Sequence, residues 1–277
     1  MLNFCMRGHD FDADSLEALA EKCRQYGIYG VQLVMPKTVP DFKVGRFTPA
    51  YATAMKETLD AANAKVPILG CYINPSCTNV TELNAQLDRF REQLKYARFI
   101  NAFAVGTETG FVGDNCDPEA NHTEEAYQHL LGNLRELVTY AEKLGVMIAI
   151  EGVKIFVIDT PQKMRRLLDD LASPNVMCIF DPINFIDIDN YEQQDKLIDD
   201  AFELYGDVMC AIHLKDFTVT DGRMSRVLPT EGMLHTERIL RYIKYSKPDM
   251  PVVLEEVKET DLLKVMENVQ KLYDTID

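Results

Sequence analysis

The 277-residue chain has no C-x-x-C pair and no G-x-G-x-x-G after its first strand-like run. It also has no apolar stretch of the roughly 18 residues needed to span a bilayer. Each absence removes a class. Without paired cysteines there is no thioredoxin-like or zinc-ribbon motif. Without the glycine fingerprint, a dinucleotide-binding open sheet loses its main signal. Positive charge is short as well. The 29 lysines and arginines face 44 acidic residues, a formal net charge of −15. Proteins that grip a phosphate backbone usually carry a basic face, so neither nucleic acid nor a membrane is the expected partner. The first residues, LNFCM, read directly as a strand. No basic segment followed by a long apolar one precedes them, so no signal peptide is expected. The seven cysteines are odd in number, and Cys5, Cys71, Cys178 and Cys210 sit inside apolar runs. They read as buried, reduced thiols of a cytoplasmic protein. Cys71 and Cys77 are close enough in sequence to bridge, but nothing demands it.

What is present is a regular alternation. Short apolar runs occur at 2–6, 30–34, 66–73, 99–106, 146–152, 176–182, 208–214 and 251–257. Between them lie amphipathic segments near 14–26, 49–64, 80–98, 123–144, 161–172, 190–205, 235–245 and 260–275. Helix-start signals include Asp14 before SLEALAEKC, Thr123 before EEAYQHLL and Thr160-Pro161. Strands that read as continuous apolar runs are buried on both faces. A spacing of roughly 30 residues is one βαβ unit. Eight such units predict a (β/α)8 TIM barrel of the α/β class, in one domain over 1–277. Longer loops are expected after the second, fourth and seventh strands.

Four of the runs end in a group that can bind a divalent cation: Glu151 in VMIAIEG, Asp181 in VMCIFDP, His213 in VMCAIHLKDF and Glu255 in PVVLEEV. Each has an ordinary explanation alone. A glutamate after a strand caps helices, Asp-Pro makes turns, and a lone histidine is more often a core residue. Together, at equivalent ends of the fifth to eighth strands, they belong to one contiguous half of a barrel wall. Buried without a cation they would be costly. Three carboxylates and one imidazole without a thiolate favour a hard or borderline ion, Mn²⁺ first, then Mg²⁺ or Co²⁺, with Zn²⁺ still open. Glu256 competes with Glu255, but Glu255 directly ends VVL as Glu151 ends IAI.

The segments IAIEG, PNVMCIFDPINF, AIHLKDF and PVVLEEV resemble those of the xylose isomerase-like TIM barrels, the sugar phosphate isomerase/epimerase family. The resemblance spans nearly the whole chain in element order, and its specific motifs lie in the second half. It implies that Glu151, Asp181, His213 and Glu255 bind one divalent metal, and that Glu151 and Glu255 act as acid and base on opposite faces of a carbohydrate. The function it implies is a metal-dependent isomerase or epimerase of a sugar, sugar phosphate or keto-sugar, working through an enediolate. Two other classes use related sites. One is a lyase or dehydratase acting on a keto-sugar or keto-inositol. The other is an endonuclease IV-like hydrolase, which needs additional histidines at strand ends. Of five histidines, only His9 and His213 are near such ends. A homo-oligomer stays open.

Candidate substrate contacts are Asn184, Lys215, His9, Glu108 and Arg226. Lys215 alternates onto the same side as His213, where its ammonium holds a substrate oxygen or pairs with a carboxylate. Asn184 stands where several of the family's epimerases have histidine. The arginine they place shortly after the seventh-strand histidine is replaced here by FTVT, with Arg226 the nearby substitute. Arg7, Gln32, Asn74 and Thr107 are further polar groups near the earlier strand ends.

Overall fold

The computed structural model describes residues 1–40, 42–113 and 116–277. Eight parallel strands close into a barrel: β1 (Asn3–Arg7), β2 (Gly30–Leu33), β3 (Lys65–Gly70), β4 (Ala104–Glu108), β5 (Met147–Glu151), β6 (Val176–Phe180), β7 (Met209–Leu214) and β10 (Pro251–Leu254). Neighbours follow chain order, and β1 pairs with both β2 and β10 to close the ring. The expected (β/α)8 architecture is therefore the observed one.

Helices surround the strands: α1 (Leu16–Tyr26), the short α2 (Met35–Thr38), α3 (Pro49–Ala61), α4 (Val80–Ile100), the short α5 (Pro118–Asn121), α6 (Glu124–Leu144), α7 (Pro161–Leu171), α8 (Gln194–Tyr205), α9 (Thr236–Ser246) and α10 (Leu262–Thr275). Thr123 and Thr160 cap α6 and α7 as the sequence suggested, accepting from the Ala126 and Lys163 amides. At α1 the cap is Ser15 rather than Asp14, through the Ala18 amide. Among the described residues no helix is long and apolar enough to cross a membrane. None of the seven cysteines forms a disulfide, Cys71 and Cys77 included.

Two segments depart from the sequence reading. The apolar run 99–106 is not one strand. Phe99 and Ile100 finish the 21-residue α4, which Asn101 ends in a left-handed conformation, and β4 begins only at Ala104. The stretch after β7 is not a simple loop either. Residues Asp216–Thr220 (β8) and Arg223–Val227 (β9) pair antiparallel across Asp221-Gly222, both at positive φ. That Asp-Gly pair is a strong hairpin signal. A smaller shift occurs at α8, which starts at Gln194 after a 3₁₀ turn over Tyr191–Gln193, not near 190.

Period-2 alternation splits the core into two layers. Outward residues such as Ile148, Ile150, Ile212, Leu214, Val252 and Leu254 pack with the helices in the larger cluster. Inward residues Cys5, Ile68, Ala104, Ala149, Ile179, Ala211 and Val253 fill the barrel interior. The next inward position toward the C-terminal ends is two residues further on. For Cys5 that is Arg7, for Ala149 Glu151, for Ile179 Asp181, for Ala211 His213 and for Val253 Glu255. The packing of the barrel thus sets which side chains meet at its upper end.

Candidate active site

Each strand brings one polar side chain to that level: Arg7, Gln32, Tyr72, Glu108, Glu151, Asp181, His213 and Glu255. Above them is a cavity of about 290 Å³, lined by six of the eight together with His9, Asn184, Lys215 and others. Asp181 and His213 lie in the wall beneath, with no exposed surface.

His213 is the hub. Its Nδ1 stands 3.2 Å from Glu151 Oε1 and 3.5 Å from Glu255 Oε1. Its other nitrogen, Nε2, lies 2.7 Å from Gln32 Oε1, while Gln32 Nε2 donates to the Tyr72 hydroxyl at 2.6 Å. That orientation of the amide makes Nε2 the protonated nitrogen. In the neutral imidazole this leaves the Nδ1 lone pair facing the carboxylates, and in the charged ring Nδ1–H points at them. Nδ1 is buried without a well-aligned hydrogen bond, and so is Asp181 Oδ2. The other Asp181 oxygen, Oδ1, accepts the Ile183 amide at 3.0 Å. Glu151, Asp181 and His213 offer donor atoms all within 4.8 Å of one another. A divalent cation would satisfy this buried donor set in place of the positive charge that Lys215 and His213 supply beside it.

Charge divides the glutamates. Burial pushes the Glu151 carboxyl up, and Asp181 and Glu255 add to this against the pull of His213. Burial acts the same way on Glu255, but His213, Lys215 and Arg7 overcome it and hold the carboxyl at about 2. Burial would lower the His213 imidazole, but Glu151, Glu255 and Asp181 outweigh it and raise it to about 9. Asn184 Nδ2 donates to Glu151 Oε1 at 2.7 Å. Lys215 Nζ lies 2.7 Å from Asp181 Oδ2 and 2.6 Å from Glu255 Oε2. Of the two roles the sequence left open for Lys215, the structure shows the carboxylate pairing.

The remaining candidates divide. Glu108 lines the cavity beside Glu151, its register partner. Burial, with Glu151, raises its carboxyl to about 7 despite Lys215. His9 lines the cavity too, with Nδ1 buried and unpartnered, and burial and Arg7 lower its pKa. Arg7 reaches Glu255 at 3.7 Å and is braced by Asp10 at 2.6 Å. Arg226 is not brought to the cavity. It sits on the β8–β9 hairpin, half-exposed, with Glu256 Oε2 at 3.8 Å. Glu256 is exposed and at φ 57°, whereas Glu255 is only 6% exposed, which separates the two adjacent glutamates.

Sequence reasoning named Gln32 without a role and missed Tyr72. The same two-residue step would have found Tyr72, two beyond Gly70. Asn74 and Asp216 turn out to be braces. Asn74 ties to Phe111 in both directions. Asp216 accepts the amides of Phe217, Gly232 and Leu234, pinning the segment before α9 to the end of β7. A side chain at Gly232 would collide with the Asp216 carboxylate, so this position needs its glycine.

A sequence model described as xylose isomerase-like TIM barrel matches residues 20–274. No curated protein matches the chain. Among solved structures, a D-tagatose 3-epimerase-like protein superposes with a TM-score of 0.77 at 16% identity, covering 99% of this chain and 97% of its own. The probable 3-DHS dehydratase AsbF of Bacillus anthracis gives 0.75 at 12% identity, with 100% of both chains covered. The IOLI protein with a bound zinc atom gives 0.72 at 15%, covering 99% and 98%.

Proposed function

The chain belongs to the xylose isomerase-like TIM barrels, and from that premise we propose that it is a divalent-metal-dependent isomerase or epimerase of a sugar, sugar phosphate or keto-sugar. The observation that carries this reading is the ring of donors around His213 Nδ1, with two buried glutamates in opposite electrostatic settings. Carboxylates driven apart in pKa within one site are the mark of an acid and base pair. Glu151, Asp181, His213 and Glu255 would hold the ion, Mn²⁺ first among Mg²⁺, Co²⁺ and Zn²⁺. When bound, such an ion supplies Lewis-acid polarisation of a substrate carbonyl.

The chain's own residues do the rest. Glu255, kept ionised by Lys215 and Arg7, takes the proton from the carbon beside the carbonyl. Glu151, whose proton is favoured by burial, returns one from the other side of the resulting enediolate. Return to the same carbon gives an epimer, and to the neighbouring carbon an aldose–ketose isomer. Asn184 orients the Glu151 carboxyl. Lys215, His9 and Glu108 face the hydroxyl groups, and the barrel floor excludes water. Arg226 keeps a proposed role only through movement of its hairpin. The protein is proposed to act in the cytoplasm.

A dehydratase reading has one observation in its favour. Glu108, with its carboxyl at about 7 and lining the same cavity, is placed to protonate a departing hydroxyl. The test is incubation of a ketose panel in D₂O with Mn²⁺, followed by NMR. Deuterium beside the carbonyl with the carbon skeleton and hydroxyl count unchanged supports the isomerase or epimerase. An unsaturated product supports elimination, and no exchange with any hydroxy-ketone removes both.

A further inference from the structure

We infer that Lys215 is a built-in counter-cation that occupies the place of the divalent ion between Asp181 and Glu255 and releases Asp181 when the ion binds. This rests on the metal reading above and adds a competitor to it. The Lys215 ammonium touches one oxygen of each carboxylate, at 2.7 Å and 2.6 Å, from a side chain only 10% exposed. Its position is fixed by alternation, two residues beyond His213 on the inward side.

The contact with Asp181 is a close ion pair, with the ammonium 2.7 Å from Oδ2. Its attraction is of charge for charge, which another cation can replace. Asp181 Oδ1 is already engaged by the Ile183 amide. Oδ2 is therefore the oxygen left for an ion, and the ion and the ammonium want the same lone pairs. Two cations held within a few ångström repel strongly in a buried site.

Lys215 also lines the cavity, so a displaced ammonium has room on the substrate side. Loading the ion thus turns an internal ion pair into a donor facing substrate oxygens. Without the ion, the same lysine keeps three buried carboxylates from repelling one another. Metal binding and substrate binding become ordered, the ion first.

The test is calorimetric titration of the metal-free chain with Mn²⁺ at fixed ionic strength. Lys215→Met should bind Mn²⁺ tighter than wild type by on the order of tenfold or more, and Lys215→Arg, which keeps the charge, should not. A lysine that merely supported the structure would give the opposite sign, weaker binding in Lys215→Met. Equal or weaker binding by Lys215→Met overturns the inference while leaving the metal reading intact. Absence of Mn²⁺ binding to both wild type and Lys215→Met removes the metal reading and the inference with it. If Lys215→Met does not fold, Lys215→Gln replaces it, with the same two outcomes.

Discussion

The two ends of the barrel make opposite use of the same strands. At the C-terminal ends, eight inward side chains are polar, and the cavity that six of them line is small, about 290 Å³. At the N-terminal ends there is a wider recess of about 720 Å³, bordered by Tyr29, Val66, Phe103, Met177, Met209 and Met250 among others. The larger recess has the volume, but the smaller one has the chemistry. Among the described residues, the acid–imidazole cluster able to share an ion lies at the upper end. What locates function here is the convergence of buried charge, which the fold tolerates only where something compensates it. The apolar layer between the two ends supplies rigidity.

That contrast can be broken most sharply from the top. Replacing Glu151 or Glu255 by Gln should slow deuterium exchange on the order of 10³-fold. Glu151→Gln should leave the thermal midpoint unchanged or higher, whereas Glu255→Gln, which removes a carboxylate held ionised by His213, Lys215 and Arg7, should lower it near pH ~7. Exchange at the wild-type rate in both variants would remove their acid–base roles. The reverse pattern is expected from the interior layer. Ile68→Ala, at a fully buried inward position, should cost about 3 kcal/mol in denaturant unfolding while each folded molecule keeps its exchange rate. A large loss of rate in folded Ile68→Ala would mean that the two layers are coupled.

Gln32 tests the tautomer chain. Gln32→Leu leaves His213 Nε2–H without its acceptor, and the affinity for Mn²⁺ should fall about 10–100-fold, measured by calorimetry. An unchanged affinity would show that the imidazole is oriented by packing alone.

The smallest effect belongs to the outer surface, where Lys22 lies 2.6 Å from Glu259, beside α10. Burial would raise the Glu259 carboxyl, but Lys22, the Asp12 amide and Tyr26 bring it below its ordinary value of 4.5. A lowered folded pKa stabilises above the unfolded value and loses that contribution as pH falls through the folded one. Glu259→Gln should therefore melt slightly earlier than wild type near pH ~7, and the gap should close near pH ~2. A gap that persists in acid would show that the glutamate acts through packing, not charge.

Much of this was legible in the sequence, for a physical reason. Strands buried on both faces leave long apolar runs, and an acid or imidazole ending such a run stands out. Glu151, Asp181, His213 and Glu255 were visible that way. Tyr72 was not, because an aromatic residue at a strand end looks like more core. Neither was the link from Gln32 to His213, since only closure of the ring through β1 and β10 brings β2 near β7. The β8–β9 hairpin was concealed by short, polar strands, although Asp221-Gly222 marked its turn. Arg226 was expected near the site from its distance along the chain, and the hairpin carries it instead toward Glu256.

The adjacent Glu255 and Glu256 have a further consequence. Two consecutive glutamates of identical chemistry are sorted by strand alternation, one into the barrel mouth and one into solvent, with left-handed backbone at the second. The selectivity of that position is therefore written in the register of the main chain. Transplanting the four donors onto another barrel would require copying that register as well as the side chains, because a slip of one residue would exchange the pair. The register is as much a part of the site's blueprint as any atom that touches an ion.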